Sequence, residues 1–269
     1  MVRGGCGVLT RWTGLLSCLA VAGCTTPVHM PVTTPGPAVE HAPQQMPAEV
    51  LRVAHALFEV PAGGSGWAFF QLPGKAFAPF EPVSRLGRPA LQVQADRSVS
   101  MLRQRFEPGL PAVDVLQFSW KVDALPDGAD LKDASATDAP VRILLAFDGD
   151  RSRWDARAHR LSELSRLLTG EPLPYATLSY VWSREDAPES VLHNPRTDRI
   201  RKLVVDSGVA HLGQWRDHRR DVRADFIRAF GEPPGPLVAV AVMTDTDNTA
   251  SRLQAWYGAL RLRQASTAP

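Results

Sequence analysis

Leu116-Gln117-Phe118-Ser119-Trp120-Lys121-Val122-Asp123 is the stretch that decides the fold class. Apolar and polar residues alternate strictly, which places one side chain in two on a core and marks a half-buried strand. Val141, Ile143, Leu145 and Phe147 repeat the rule, as do Leu91, Val93 and Ala95, and Leu178, Tyr180 and Trp182. Trp120 and Trp182 run in phase with apolar neighbours and are expected in the core. Leu203–Val205 and Leu237–Met243 are apolar on both faces, as central strands are. A last strand is expected over Ala255–Leu262, with Trp256, Gly258, Leu260 and Leu262 on one face.

Two segments have helical spacing instead. Trp154–Leu168 is followed by Gly170 as a C-cap, and Val222–Phe230 is ended by Gly231 and Pro233-Pro234. Many strands, few helices and no strand–helix alternation predict a mainly β fold. The expected form is an antiparallel β-sandwich, jelly-roll-like or galactose-binding-like, with one or two peripheral helices.

The N-terminal end has a different character. Arg3 and Arg11 precede a short apolar run from Leu15 to Val21, and Val21-Ala22-Gly23-Cys24 closes it. A basic start, a short apolar run and small residues are the parts of a secretory signal. The run is too short for a bilayer span, which takes ~20 apolar residues. The tetrapeptide resembles the lipobox of bacterial lipoproteins, which implies cleavage after residue 23 and acylation of Cys24. Cys6 and Cys18 would leave with the signal, so the mature chain would hold no free thiol. Thr25 is not the aspartate that marks inner-membrane retention in those lipoproteins. The resemblance therefore implies a lipid-anchored protein of the cell envelope, at the outer membrane facing the periplasm.

Residues 24–48 read as a tether: Pro27, Pro31, Pro35, Pro37, Pro43 and Pro47 forbid regular structure, and His29 and His41 read as solvated. Residues 49–269 are long enough for one β-rich domain. The chain has 30 basic and 28 acidic residues. Loss of Arg3 and Arg11 would leave it formally neutral, which argues against a nucleic-acid partner. The basic stretch Arg216–Arg228 is interleaved with Asp217, Asp221 and Asp225 and reads as a solvated face with ion pairs.

No catalytic motif stands. Gly63-Gly64-Ser65-Gly66-Trp67 lacks the closing glycine of a nucleophile elbow and reads as a turn. There is no phosphate-cradling loop, and His55, His159, His193, His211 and His218 do not fall at ligand spacing. Two acidic clusters end strands: Asp148-Gly149-Asp150 and Asp245-Thr246-Asp247-Asn248. Asp and Asn bond their own backbone in turns. Oxygen ligands at alternate positions would equally suit a hard cation such as calcium, with Asp245, Asp247, Asp148 and Asp150 as the candidate ligands. An EF-hand does not follow, since its sixth and twelfth positions fall on Ala250 and Trp256. In Asn194-Pro195-Arg196-Thr197-Asp198-Arg199, either the charges pair around a turn or the arginines clamp an anion. Candidate ligand-binding residues are thus Asp245, Asp247, Asn248, Asn194, Arg196 and Asp198.

Several strings occur in a specific order: Ser119-Trp120-Lys121-Val122, Leu125-Pro126-Asp127-Gly128, Leu173-Pro174-Tyr175-Ala176, Asn194-Pro195-Arg196-Thr197-Asp198-Arg199, Met243-Thr244-Asp245-Thr246-Asp247-Asn248 and Ala255-Trp256-Tyr257-Gly258. Together they resemble the bacterial domain-of-unknown-function family numbered 3047 over about residues 55–263. The resemblance implies a secreted or envelope-associated protein and brings no catalytic residue. The leading functional expectation is a non-catalytic binding domain for a glycan or other envelope ligand. A structural lipoprotein that binds an envelope protein, and a carboxylate-dependent glycan hydrolase, are the alternatives.

Overall fold

The computed structural model describes residues 46–111 and 113–264. The signal segment, Cys24 and the tether lie outside the described residues, apart from Met46-Pro47 and the start of the first helix. The elements in chain order are α1 (Ala48–Leu57), β1 (Phe58–Glu59), β2 (Gly64–Phe69), β3 (Phe80–Arg85), β4 (Arg88–Asp96), β5 (Val99–Leu110), β6 (Val113–Val122), β7 (Ala139–Phe147), α2 (Ala156–Thr169), β8 (Ala176–Ser183), β9 (Val191–Asn194), β10 (Thr197–Ser207), β11 (Arg216–Asp221), α3 (Val222–Phe230), β12 (Leu237–Asp245) and β13 (Arg252–Gln264).

The strands form two sheets. The smaller runs β11-β6-β13-β4-β3, with β1 beside β13, and the larger runs β2-β5-β12-β7-β8-β10-β9. Pairing is antiparallel except for β8–β10 and β1–β13, which are parallel. The fold is therefore the expected β-sandwich. The alternating residues meet between the sheets: Leu116, Phe118, Trp120 and Val122 from one side, Ile143, Leu145, Tyr180 and Trp182 from the other, all nearly or fully buried.

Three local expectations are corrected and a fourth is extended. Among the described residues there are three α-helices, not one or two. The extra one, α1, starts at Ala48 behind Pro47 and buries Val50, Ala54 and Leu57 against the core. Gly63–Trp67 is not a simple turn, because β2 pairs with β5 from Gly64 onward. Its pairing shifts register between Gly64 and Trp67, and Gly63 and Gly66 take φ of +98° and +87°, which glycine tolerates without a Cβ penalty. In β13 a register shift between Tyr257 and Leu260 breaks the expected face. Leu260 and Leu262 turn to the core, while Trp256 lies on the outer face beneath Lys121 and Arg85. Finally, the expected solvated, ion-paired stretch at Arg216–Asp221 is also a strand, β11, whose alternate residues Asp217, Arg219 and Asp221 are exposed.

That last strand has no apolar residue, so burial of hydrocarbon does not explain it. Its inward side chains find carboxylates instead. Asp206, 2% exposed, accepts from Trp120 Nε1 at 2.7 Å and Arg216 Nε at 3.0 Å, and lies 2.7 Å from His218 Nε2. Arg220 reaches Asp225 at 2.7 and 2.8 Å and Glu189 at 2.6 and 3.0 Å. Asp206 belongs to the larger sheet and its three partners to the smaller, so one carboxylate ties the sheets together.

Burial alone would raise the Asp206 carboxyl, but its bonds to His218, Trp120 and Arg216 hold it below the usual carboxylate range. Its stabilising contribution is present above the unfolded carboxylate pKa near ~4 and is lost as pH falls through the lower folded value. Asp206→Ala strands a buried indole N–H, the Arg216 guanidinium and the His218 ring nitrogen. It should lower unfolding free energy by about 2–4 kcal/mol in urea titration at pH 7. A loss below ~0.5 kcal/mol would show that the sheets are held by hydrocarbon contact alone.

Candidate functional site

The outer face of the larger sheet divides into a groove and a dry ionic cluster. Register places its side chains in rows across the strands. One row runs Arg105–Ala239–Ala146–Thr177–Ile200 and the next Arg103–Ala241–Leu144–Ser179–Lys202. Ala239, Ala146 and Thr177 in the first row and Ala241 in the second are small, so the sheet surface is hollow there. Walls rise on either side from Phe70 and Leu72, Ser165 and Thr169 of α2, and Leu173, leaving a groove of ≈ 430 Å³.

The groove's charged groups arrive in pairs. Arg103 meets Glu171 through two bonds of 2.8 Å and lies 4.1 Å from the centre of the Phe70 ring. Arg105 bonds the same Glu171 at 3.3 Å and also Glu107. Arg151 holds Asp148 at 2.7 Å, and Arg199 holds Asp198 at 2.8 Å. Burial would raise Glu171, but Arg103 and Arg105 keep it below the usual range. That is the reverse of the raised pKa a carboxylic proton donor needs.

One more row along, Met101–Met243–Arg142–Val181–Val204, the same face is closed. The chain before β7 covers it, and Leu131 and Ala139 pack on Val181 and Val204. Under this cover Asp138, Asp245 and Asp247 bring carboxylate oxygens within 4.8 Å of one another. Asp245 ends β12 and Asp247 lies in the loop that follows, and the two were expected together. Asp138 comes from 107 positions earlier, and nothing around Thr137-Asp138-Ala139 marks it in the sequence.

Each carboxylate already has protein partners. Asp138 accepts from the Asn248 amide at 3.3 Å, the Thr249 amide at 2.8 Å and the Thr249 hydroxyl at 2.7 Å. Asp247 pairs with Lys75, and Asp245 Oδ2 accepts from Arg142 at 3.0 Å. Asp245 Oδ1 is buried with no hydrogen-bond partner. Lys202, fully buried, reaches the Leu131 carbonyl. Calcium takes six to eight oxygens, and these three carboxylates are spent on a loop, a lysine and an arginine. The donor set fits a lock on the loop after β12 better than a cation site.

The remaining expected residues do not join this cluster. Asp148 and Asp150 follow β7, at its opposite end from Ala139, which pairs with Asp245. Eight residues of strand put about 26 Å between the two acidic groups, far beyond the separation of a glycosidase pair. Asp150 caps a short 3₁₀ turn, accepting from Ser152. Asn194 accepts from the Arg196 amide at 2.9 Å in the β9–β10 turn, and Arg196 bonds the Ala134 carbonyl. Asp198 reaches the groove only through Arg199. Arg103 and Glu171, which dominate the groove, were not expected from sequence.

The chain matches the family described as protein of unknown function (DUF3047) over residues 65–261, and it belongs to that family. No curated protein matches it in sequence. Three solved structures are similar at a distance. The xyloglucanase domain of a type three effector from Sinorhizobium fredii is 10% identical, with a TM-score of 0.39 over 77% of this chain and 99% of that one. A family 11 xylanase from Neocallimastix patriciarum is 12% identical, with a TM-score of 0.36 over 77% and 94%. A carbohydrate-binding module specific for non-crystalline cellulose is 10% identical, with a TM-score of 0.33 over 73% and 86%. At TM-scores this low, none of these likenesses bears on the site or its chemistry.

Burial, with the Asp138 and Asp247 charges, pushes the Asp245 carboxyl up to about 7 against the pull of Arg142. The folded state therefore favours the protonated acid. The stabilisation this gives is complete below pH ~4 and is lost as pH rises through 7. Between pH 5 and 8 the parent chain should lose roughly 2 kcal/mol relative to Asp245→Asn, which stays neutral throughout. Parallel stability curves for the two would remove the perturbed acid. Millimolar calcium or a chelator should move the melting temperature of the parent by less than about 1 °C. A rise of several degrees would mean that the ion displaces Lys75.

Proposed function

We propose that this DUF3047 member is a lipid-anchored, non-catalytic binding protein of the cell envelope, held at the outer membrane facing the periplasm, whose groove takes a neutral glycan segment. The anchor rests on the lipobox-like Val21-Ala22-Gly23-Cys24. The glycan reading rests on one observation: every arginine in the groove is matched by its own carboxylate around an apolar floor.

A phosphate or other anion would seek unpaired cations, which the groove does not offer. A purely apolar ligand would leave the ion pairs with no partner. A sugar ring has a C–H face to lie on Ala239, Ala241 and Leu144, and hydroxyls that both donate and accept. Arg103 and Glu171 supply one group of each kind. Arg103 is fixed by its two-point bond and by Phe70 beneath it, so little freedom is lost on binding. The volume lies within the range of small-ligand clefts.

The test is a glycan array probed with the full chain and with Ala241→Trp, which fills the groove floor from an outward position. The parent should bind at least one neutral oligosaccharide, and the tryptophan variant should lose that binding at least tenfold while melting within about 3 °C of the parent. Binding undiminished in the variant would place the site elsewhere. No binding to any neutral glycan would remove the reading.

A further inference from the structure

Helix α2 is mounted in reverse. The stripe it turns toward the domain is Ala158, Ser162, Ser165 and Thr169, small or hydroxylated at spacings of four, three and four. Hydrogen bonds hold that face: Ser162 accepts from the Leu173 amide at 3.2 Å, and Ser165 donates to the Glu171 carbonyl at 2.9 Å. Leu161 is half-buried beside them, but the other three leucines of the helix point away. Leu164 is 50% exposed, Leu167 82% and Leu168 59%. Scattered exposed leucines need no explanation, but these are three of the six exposed large apolar side chains of the described residues, gathered within five positions.

At 100° per residue, Arg157 and Arg160 stand on the same side, in the turns before those leucines. Neither meets a carboxylate among the described residues. The one acid of the helix, Glu163, is taken by Arg166 at 2.6 Å. The exposed face thus presents free guanidinium groups at one end and bare hydrocarbon at the other.

We infer that this face of α2 docks on an anionic phospholipid surface. Leucine side chains would enter the boundary between headgroups and acyl chains, while arginine stems lie along it with their charges on lipid phosphates. The charge is complementary, and the arginines share the leucines' face, one or two turns before them, where their guanidinium groups reach lipid phosphates as the leucines enter below. The inference deepens the anchored reading and borrows one thing from it. A lipidated Cys24 would stand 22 residues before Met46, a tether of at most about 75 Å, and would keep α2 at high effective concentration near the bilayer. The groove would then be held beside the headgroups, because Ser165 and Thr169 of the same helix form part of its wall.

Amide hydrogen exchange of the full chain tests this, with vesicles of phosphatidylethanolamine and phosphatidylglycerol against vesicles of phosphatidylcholine. Exchange in α2 should slow roughly tenfold with the anionic vesicles alone, while the loop around exposed Val209 stays unchanged. The pairs Leu164→Ser with Leu167→Ser, and Arg157→Glu with Arg160→Glu, should each abolish the slowing without changing the melting temperature. Flotation separates the two readings. A chain that floats with both vesicles yet leaves α2 unprotected keeps its anchor and overturns the docking. A chain that neither floats nor gains protection overturns both. Protection that grows with protein concentration in the absence of lipid would assign the face to a second copy and overturn the proposal.

Discussion

A buried carboxylate is tolerated only where its charge is answered, and Asp206 is where this fold meets that demand. The register of β10 against β8 shifts between Val204 and Asp206, and Asp206 pairs with Trp182 on the core side. There it collects an indole, a guanidinium and an imidazole from the facing sheet. Those partners make a strand of Arg216–Asp221, a sequence that would otherwise have no reason to leave water. Arg220, Asp225 and Glu189 repeat the device one step further along. Tyr180, whose hydroxyl donates to Asp225 at 2.9 Å, links it to the aromatic core. The edge of the sandwich is thus closed by electrostatics where the centre is closed by hydrocarbon.

This division explains what could be read in advance. Elements whose only requirement is an apolar face were legible: β6, β7, β8 and β12 from their alternation or apolar runs, and α3 with both ends correct. Elements stabilised by specific partners were not. Strand β5 hides because Gln104 sits in the core beside Leu102 and Phe106 and interrupts their apolar pattern. Its room is made by Gly64 across the strand pair, where a Cβ would stand 1.8 Å from the glutamine side-chain nitrogen. Neither residue is informative without the other. The site divides the same way. Asp245 and Asp247 could be singled out from their spacing, whereas Asp138 joins them only through the strand order. The groove was invisible because it is made by what Ala146, Ala239 and Ala241 lack.

One sheet face therefore carries two environments of opposite character. Where the chain before β7 covers it, Asp138, Asp245 and Arg142 are buried with protein partners, and Asp247 pairs with Lys75 at the margin. Burial also drives Lys202 down to about 7, with Arg142 and Arg196 adding repulsion. Where only walls from Phe70 and Leu72, α2 and the segment around Leu173 flank it, the face stays hollow. The dry half makes the floor of the hollow half rigid, since Met243 and Arg142 continue the strands that carry Ala241 and Leu144. A groove with paired, pre-positioned ions on such a floor is suited to recognition without rearrangement.

The four strands that end the sheets have a further consequence. Strand β2 has positive-φ glycines at its entry, Gly63, and within it, Gly66, β9 is four residues long, β3 holds Pro82, and β11 has no apolar side chain. Each presents a poor template for another chain's backbone. Proteins crowded into two dimensions meet their neighbours edge-on far more often than proteins in free solution. A sandwich blunted at these four edges can be packed densely side by side and still not polymerise through them.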